Sequence, residues 1–133
     1  MIRVELSGGE VELDDNIARL VRACDQLPGL STTSSCGGHE SPNAEHGQQP
    51  LGQFYVSLCV ANWWEAWRGL TMLTAATFMR CEGNLCFRYD GPQNRPDDLR
   101  FLRVELHGTG DPDRLAKFVE YVVDDPAHHT ASN

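Results

Sequence analysis

Two stretches of this chain bring together side chains able to recognise or transform a ligand. The first is Ser31-Thr32-Thr33-Ser34-Ser35-Cys36-Gly37-Gly38-His39. A strand that ends in two glycines lets backbone amides approach a ligand closely, because no side chain intervenes. Successive amides in such a turn can form a concave anion site. The hydroxyls of Thr33, Ser34 and Ser35 add donors, Cys36 adds a thiol, and His39 donates or accepts near neutral pH. The expected ligand is a phosphate, a carboxylate or the edge of a nucleobase. The second stretch is His107-Gly108-Thr109-Gly110-Asp111. There the amides of Thr109 and Gly110 precede a helix N-terminus, which favours anions, although Asp111 fills the cap itself. His107 and Thr109 are either a second wall of the same pocket or part of a solvated strand face shared with Arg103. The candidate ligand-binding set is therefore Thr33, Ser34, Ser35, Cys36, Gly37, Gly38, His39, His107 and Thr109, with no catalytic residue assigned.

Sharper chemistry is weakly supported by spacing. Cys36 and His39 have C-x-x-H spacing, His46 follows in the same loop, and Cys81 and Cys86 are five apart. Zinc asks for about four converging ligands, and no second close pair of standard spacing exists, so no metal is expected. Cys36 beside His39 suits a thiolate–imidazolium pair, but no third orienting group can be placed from the sequence. Cys24 and Cys59 fall on apolar patterns, the usual setting of a buried free cysteine. Trp63 and Trp67 are one turn apart and share a helix face, expected to be core, while Trp64 is expected to be half exposed.

Composition bounds the partners. The chain has 133 residues with 41% hydrophobic and 23% charged, ordinary for one globular domain. Its net charge of −8 has the wrong sign for gripping a long nucleic-acid backbone. Of its basic residues only Lys117 is a lysine, and arginine suits bidentate contact with a small anion. No apolar run approaches 18 residues, and Met1 to Leu6 lacks a signal-peptide pattern. Five cysteines without such a signal favour reduced thiols. A cytoplasmic protein without membrane attachment is expected.

The elements that must position these residues are legible from periodicity. Ile2, Val4 and Leu6 alternate with Arg3 and Glu5, and Val11 and Leu13 resume the alternation after Ser7-Gly8-Gly9-Glu10, giving a hairpin. Asp14 or Asp15 caps a helix carrying Ile17, Leu20, Val21, Cys24 and Leu27, stopped by Pro28-Gly29. Leu30 to Cys36 reads as a strand, Gly37 to Gly52 as a loop of about fifteen residues, long enough to suggest function. Phe54 to Val60 is a strand expected at the sheet centre, and Asn62 caps a helix running to about Met79. Asn84 to Asp90 and Phe101 to His107 are strands, and Asp111-Pro112 opens a last helix with Leu115, Phe118, Val119 and Val122 on one face. These elements predict an α+β fold: a mixed, mostly antiparallel sheet of about six strands with three packed helices. Residues 1–125 form a single domain and 126–133 a loose tail.

The run Thr33-Ser34-Ser35-Cys36-Gly37-Gly38-His39, following the helix Asn16 to Leu27, resembles the Thr-Thr-Ser-Ser-Cys-Ser-Gly-Arg-type signature of the Tyw3 (wybutosine-synthesising protein 3) family. Thr33, Ser34, Ser35, Cys36 and Gly38 match it. Gly37 stands where the family has serine and His39 where it has arginine. Phe54-Tyr55-Val56-Ser57 resembles the following strand, with Leu58 where the family tends to have histidine. The resemblance implies a Tyw3-like fold with a pocket at this loop. It also implies the family's activity, S-adenosylmethionine-dependent methylation of a modified guanosine in tRNA. That activity would need a basic patch, for which Arg80, Arg88, Arg95, Arg100 and Arg103 are the candidates. The leading expectation is instead a cofactor-free binding domain for a nucleotide-like or other small anion, which in a phage-encoded chain would sequester a nucleotide signal of host immunity. The remaining expectation is a protein-interaction module, such as a homo-oligomer that pairs an edge strand or covers Trp64.

Overall fold

A computed structural model describes residues 1–80 and 83–125. Cys81 and the expected tail at 126–133 lie outside the described residues. The fold is α+β, and its six strands divide into two antiparallel sheets.

Strands β1 (Ile2–Leu6) and β2 (Gly9–Leu13) form the hairpin, with Leu6 opposite Gly9. The turn is thus Ser7-Gly8 alone, tighter than the four residues expected. Val4 and Leu13 point into the core. Asp15–Ile17 makes one 3-10 turn and α1 (Ala18–Asp25) continues it, burying Leu20, Val21 and Cys24.

The second sheet has the order β3–β4–β6–β5. Its strands are β3 (Leu30–Cys36), β4 (Gln53–Val60), β5 (Gly83–Tyr89) and β6 (Leu102–Thr109). β4 is an interior strand, as its apolar run predicts. Phe54, Val56 and Leu58 of β4 and Val104 and Leu106 of β6 are buried on one face. On that face pack α1, α2 (Trp63–Arg80) and α3 (Pro112–Asp124), with α3 in contact with both other helices. Asn62 and Asp111 cap α2 and α3 as expected, accepting from Trp64 N and Asp113 N.

The opposite sheet face carries the alternate residues. Tyr55 pairs with Cys36 on one side and His107 on the other, and Ser57 sits between Ser34 and Glu105. Among the described residues the three α-helices pack on the other face, and the loop that carries Gly47 and Gln49 lies against this one. The register of β3 slips between Thr32 and Ser34, a bulge at Thr33 that bends this edge strand.

One expectation fails on α2. Trp63 and Trp67 are not core: Trp63, Trp64 and Trp67 are 48%, 73% and 69% exposed. The buried stripe is Ala66, Met72, Leu73, Ala76 and Thr77; the helical spacing that groups Trp63 and Trp67 with Ala66, Leu70, Leu73 and Thr77 is right for Ala66, Leu73 and Thr77 and wrong for the tryptophans. α2 is apolar on several faces, so a helical period alone does not identify which one meets the sheet. The small residues Ala66, Gly69 and Ala76 permit close packing, and a Cβ on Gly69 would collide with the Pro28 carbonyl. The rings of Trp63 and Trp64 stack on each other at 4.0 Å.

Candidate functional site

The glycine turn after β3 is built by tertiary contacts. Asp14, which ends the hairpin, does not cap the following helix with its side chain. Its Oδ2 instead accepts from the Gly37 amide at 2.9 Å and faces His39 Nε2 at 3.3 Å. Asn16 Nδ2 donates to the Gly37 carbonyl at 2.8 Å. The amides of Gly38 and Gln49 both donate to Cys36 Sγ, at 3.5 and 3.3 Å. The His39 amide donates to the Gln49 carbonyl at 2.8 Å, and a short bridge joins His39 to Pro50.

The backbone requires a glycine at 38, and the present position of Asn16 leaves no room for a side chain at 37. Gly37 abuts the Asn16 side chain, where a Cβ would collide with the amide. Gly38 has φ +97°, and a Cβ there would lie 2.8 Å from the Gln53 carbonyl oxygen and 2.9 Å from that of Pro50.

The amides expected to receive an outside anion are therefore already partnered within the chain: Gly37 by Asp14, Gly38 by Cys36 and His39 by Gln49. Asp14 supplies the negative charge that the concave turn attracts. The turn ties the loop from His39 to Gly52 against the sheet end. His46 stays apart, in a 3-10 turn with Nδ1 3.4 Å from Asn43 Nδ2.

The remaining candidates separate into two clefts that share Ser34. On the hairpin side, Thr32, Thr33, Ser34 and Ser35 line a cleft of about 220 Å³ with Glu12 and apolar side chains of the hairpin and α1. Thr33 Oγ1 there donates to the Ser57 carbonyl at 3.1 Å, while the buried Thr32 Oγ1 has no hydrogen-bond partner. The only ionisable side chain lining this cleft is acidic, which disfavours an anion.

On the helix-free sheet face lies a groove of about 240 Å³, lined by Ser34, Gly47, Gln49, Tyr55, Arg88, Glu105 and His107. Strand pairing puts Cys36, Tyr55, His107 and Asn84 side by side across four strands. The rings of Tyr55 and His107 lie 5.9 Å apart. Glu105 holds the floor, meeting Arg88 at 3.2 Å and His107 Nε2 at 3.3 Å. Arg88 meets Glu105 through one guanidinium nitrogen and its side chain remains 57% exposed at the mouth of the groove. His107 also borders a smaller cleft of about 140 Å³ with Thr109, Gln49, Gln53 and Asn84. His107 and Thr109 thus form a shared wall, but one built against Tyr55 and the loop rather than against Gly37 and Gly38.

Beside the groove, the exposed Cys86 thiol is pushed above its ordinary range, chiefly by burial and then by Glu105. Cys24, enclosed in the core, is pushed up to about 12 by burial. Two groups of donors converge closely enough to share an ion: Asp14, Cys36 and His39, and Cys86, Glu105 and His107.

The arginines proposed as an RNA surface are largely occupied. Arg88 meets Glu105, Arg95 and Arg100 both meet Asp98, and Arg103 donates to the carbonyls of Arg100 and Leu102. The side chain of Arg80 lies outside the described residues. Asp14, Gln49, Tyr55 and Glu105 are not among the ligand residues that the sequence points to, and Arg88 is among them only as part of the RNA-binding patch. Glu105 and Arg88 had a usable signal in strand alternation, which places them on the face of His107. Asp14 had only the doublet Asp14-Asp15, one member of which is surplus to a cap. Comparison of the chain with protein-family profiles, with curated proteins and with solved structures finds no match.

Proposed function

We propose that this protein is a binding domain for a small, nucleotide-like anion, held in the groove on the helix-free sheet face. The observation that carries this reading is the convergence of Arg88, Tyr55, His107, Ser34 and Gln49 around one cleft. Arg88 supplies a forked donor for phosphate or carboxylate. Tyr55 and His107 offer ring faces for a planar group, and Ser34 and Gln49 supply orientation. The groove is smaller than the roughly 300–1,000 Å³ of drug-sized sites, which fits a mononucleotide bound at its edge. The Tyw3-like segment holds one wall through Ser34 and fastens the loop that carries Gln49. Calorimetry with nucleoside monophosphates, cyclic nucleotides and S-adenosylmethionine tests the reading. Binding that weakens about tenfold or more in Arg88→Ala, the scale of one charge-assisted hydrogen bond, supports it. No heat with any of them would sink it, and methyl transfer to tRNA would replace it with the methyltransferase reading.

Self-association is a second property favoured by a separate observation. Trp63, Trp64, Trp67 and Phe87 are 48–73% exposed, and β5 is a sheet edge without the bulge that blunts β3. At roughly 150–250 Å² per aromatic side chain, these four expose roughly 400–600 Å². That is roughly half to three quarters of the roughly 800 Å² per partner in a standard interface. A second copy is the natural occupant, because an antiparallel β5–β5 pair is self-complementary about a twofold axis. Light scattering across a concentration series should give twice the chain mass of 14.8 kDa, reverting to monomer in Trp67→Glu. A monomer at every concentration would refute the dimer.

A further inference from the structure

We infer that Asp14, Cys36 and His39 form a three-ligand site for a divalent transition metal, with zinc the best-suited ion. The three residues come from two distant segments, so the C-x-x-H pair gains its third ligand from the fold. Their donor atoms all lie within 4.8 Å of one another. Asp14 Oδ2 and His39 Nε2 are 3.3 Å apart. Ligands bound to zinc at about 2.0–2.3 Å in tetrahedral geometry stand roughly 3.3–3.8 Å apart, so the cluster needs at most a small contraction.

The surroundings suit an ion. Metal binding requires the thiolate, and the amides of Gly38 and Gln49 both point their N–H groups at Cys36 Sγ. The Gly37 amide fixes the Asp14 carboxylate, as supporting hydrogen bonds do for ligating carboxylates. Cys36 is buried, whereas the Asp14 and His39 side chains are 19% and 33% exposed. An ion therefore has an entry path on the Asp14–His39 side and a fourth position open to water. Burial of the thiol also disfavours the cysteine-nucleophile alternative, since a substrate carbon has no approach to Sγ. Thiolate, imidazole and carboxylate together, in a three-plus-one arrangement, suit zinc. None of the three ligands lines the groove, and the two sites share only Gln49, whose amide donates to Cys36 Sγ.

Titration of chelator-stripped, reduced protein with Co²⁺ tests the site. A thiolate-to-cobalt charge-transfer band and tetrahedral ligand-field bands should appear at one ion per chain. Zn²⁺ should displace the Co²⁺ and raise the melting temperature. Cys36→Ser should abolish the charge-transfer band, and Asp14→Ala and His39→Ala should each weaken affinity about tenfold or more, while Cys86→Ser changes nothing. Where Cys36→Ser fails to fold, the His39→Ala variant, at a half-buried position, decides, with folding checked by circular dichroism. The proposal is overturned by absence of the band, by unchanged affinity in His39→Ala, or by loss of the band in Cys86→Ser, which would assign the ion to Cys86, Glu105 and His107.

Discussion

Gly38 has φ +97°, and the carbonyl oxygens of Pro50, in the loop, and Gln53, at the start of β4, occupy the space that a Cβ would need. Backbone strain of this kind costs on the order of 1–3 kcal/mol when a side chain is added, and the steric contact adds to it. Gly38→Ala should therefore lower the urea-unfolding free energy by about 2 kcal/mol or more. A bulkier substitution does not report on binding alone, because the same glycine supports the fold. The cysteines differ as sharply. Cys24 and Cys36 are buried and Cys86 is exposed. Under native conditions iodoacetamide should modify Cys86 well before either, as peptide mapping would show. Because burial and Glu105 raise the Cys86 pKa, its alkylation rate should keep climbing at pH values where an ordinary thiol has levelled off.

At the scale of elements, the connection between β5 and β6 is held by the Tyr89 hydroxyl on the Pro92 and Arg95 carbonyls and by the Asp98 carboxylate. Asp98 accepts from Arg100 and faces Arg95, and the Arg100 hydrogen bond leads the causes that hold its pKa down to about 2. A depressed carboxylate pKa contributes stability that is present above the unfolded value near 3.9. That contribution is lost as pH falls through about 2. Backbone signals of residues 90–101 should thus shift between about pH 4 and pH 2 ahead of those in β4, with the effect reduced by salt. Shifts in step with global unfolding would contradict this. The sequence announced most of these elements. β4 is an apolar run and β6 alternates, and the caps Asn62 and Asp111 stand where side-chain chemistry requires them. Asp14 was legible only as a cap, because its true partners at Gly37 and His39 are more than twenty residues away and local pattern carries no such information. The exposed face of α2 was misread for a related reason: periodicity finds stripes, and only the packing partner selects among them. Division of the strands into a hairpin and a four-stranded sheet likewise depends on contacts between elements rather than on any one of them.

For the whole molecule, an acidic surface and internally occupied arginines point the same way. With net charge −8 and Arg88, Arg95 and Arg100 each facing a carboxylate, little counterion release is available to a polyanion. Filter binding with bulk tRNA at physiological salt should show no retention, whereas retention that falls steeply with salt would restore the RNA reading. Among the described residues, no helix is long and apolar enough to cross a membrane. The placement of the three tryptophans has a practical consequence for anyone measuring this protein. All three sit on α2, exposed to solvent, and two stack on each other. Intrinsic emission of the folded chain should therefore already be red-shifted, and unfolding should change it little. The same optical signal, nearly blind to the core, would respond strongly to anything that covers the α2 face.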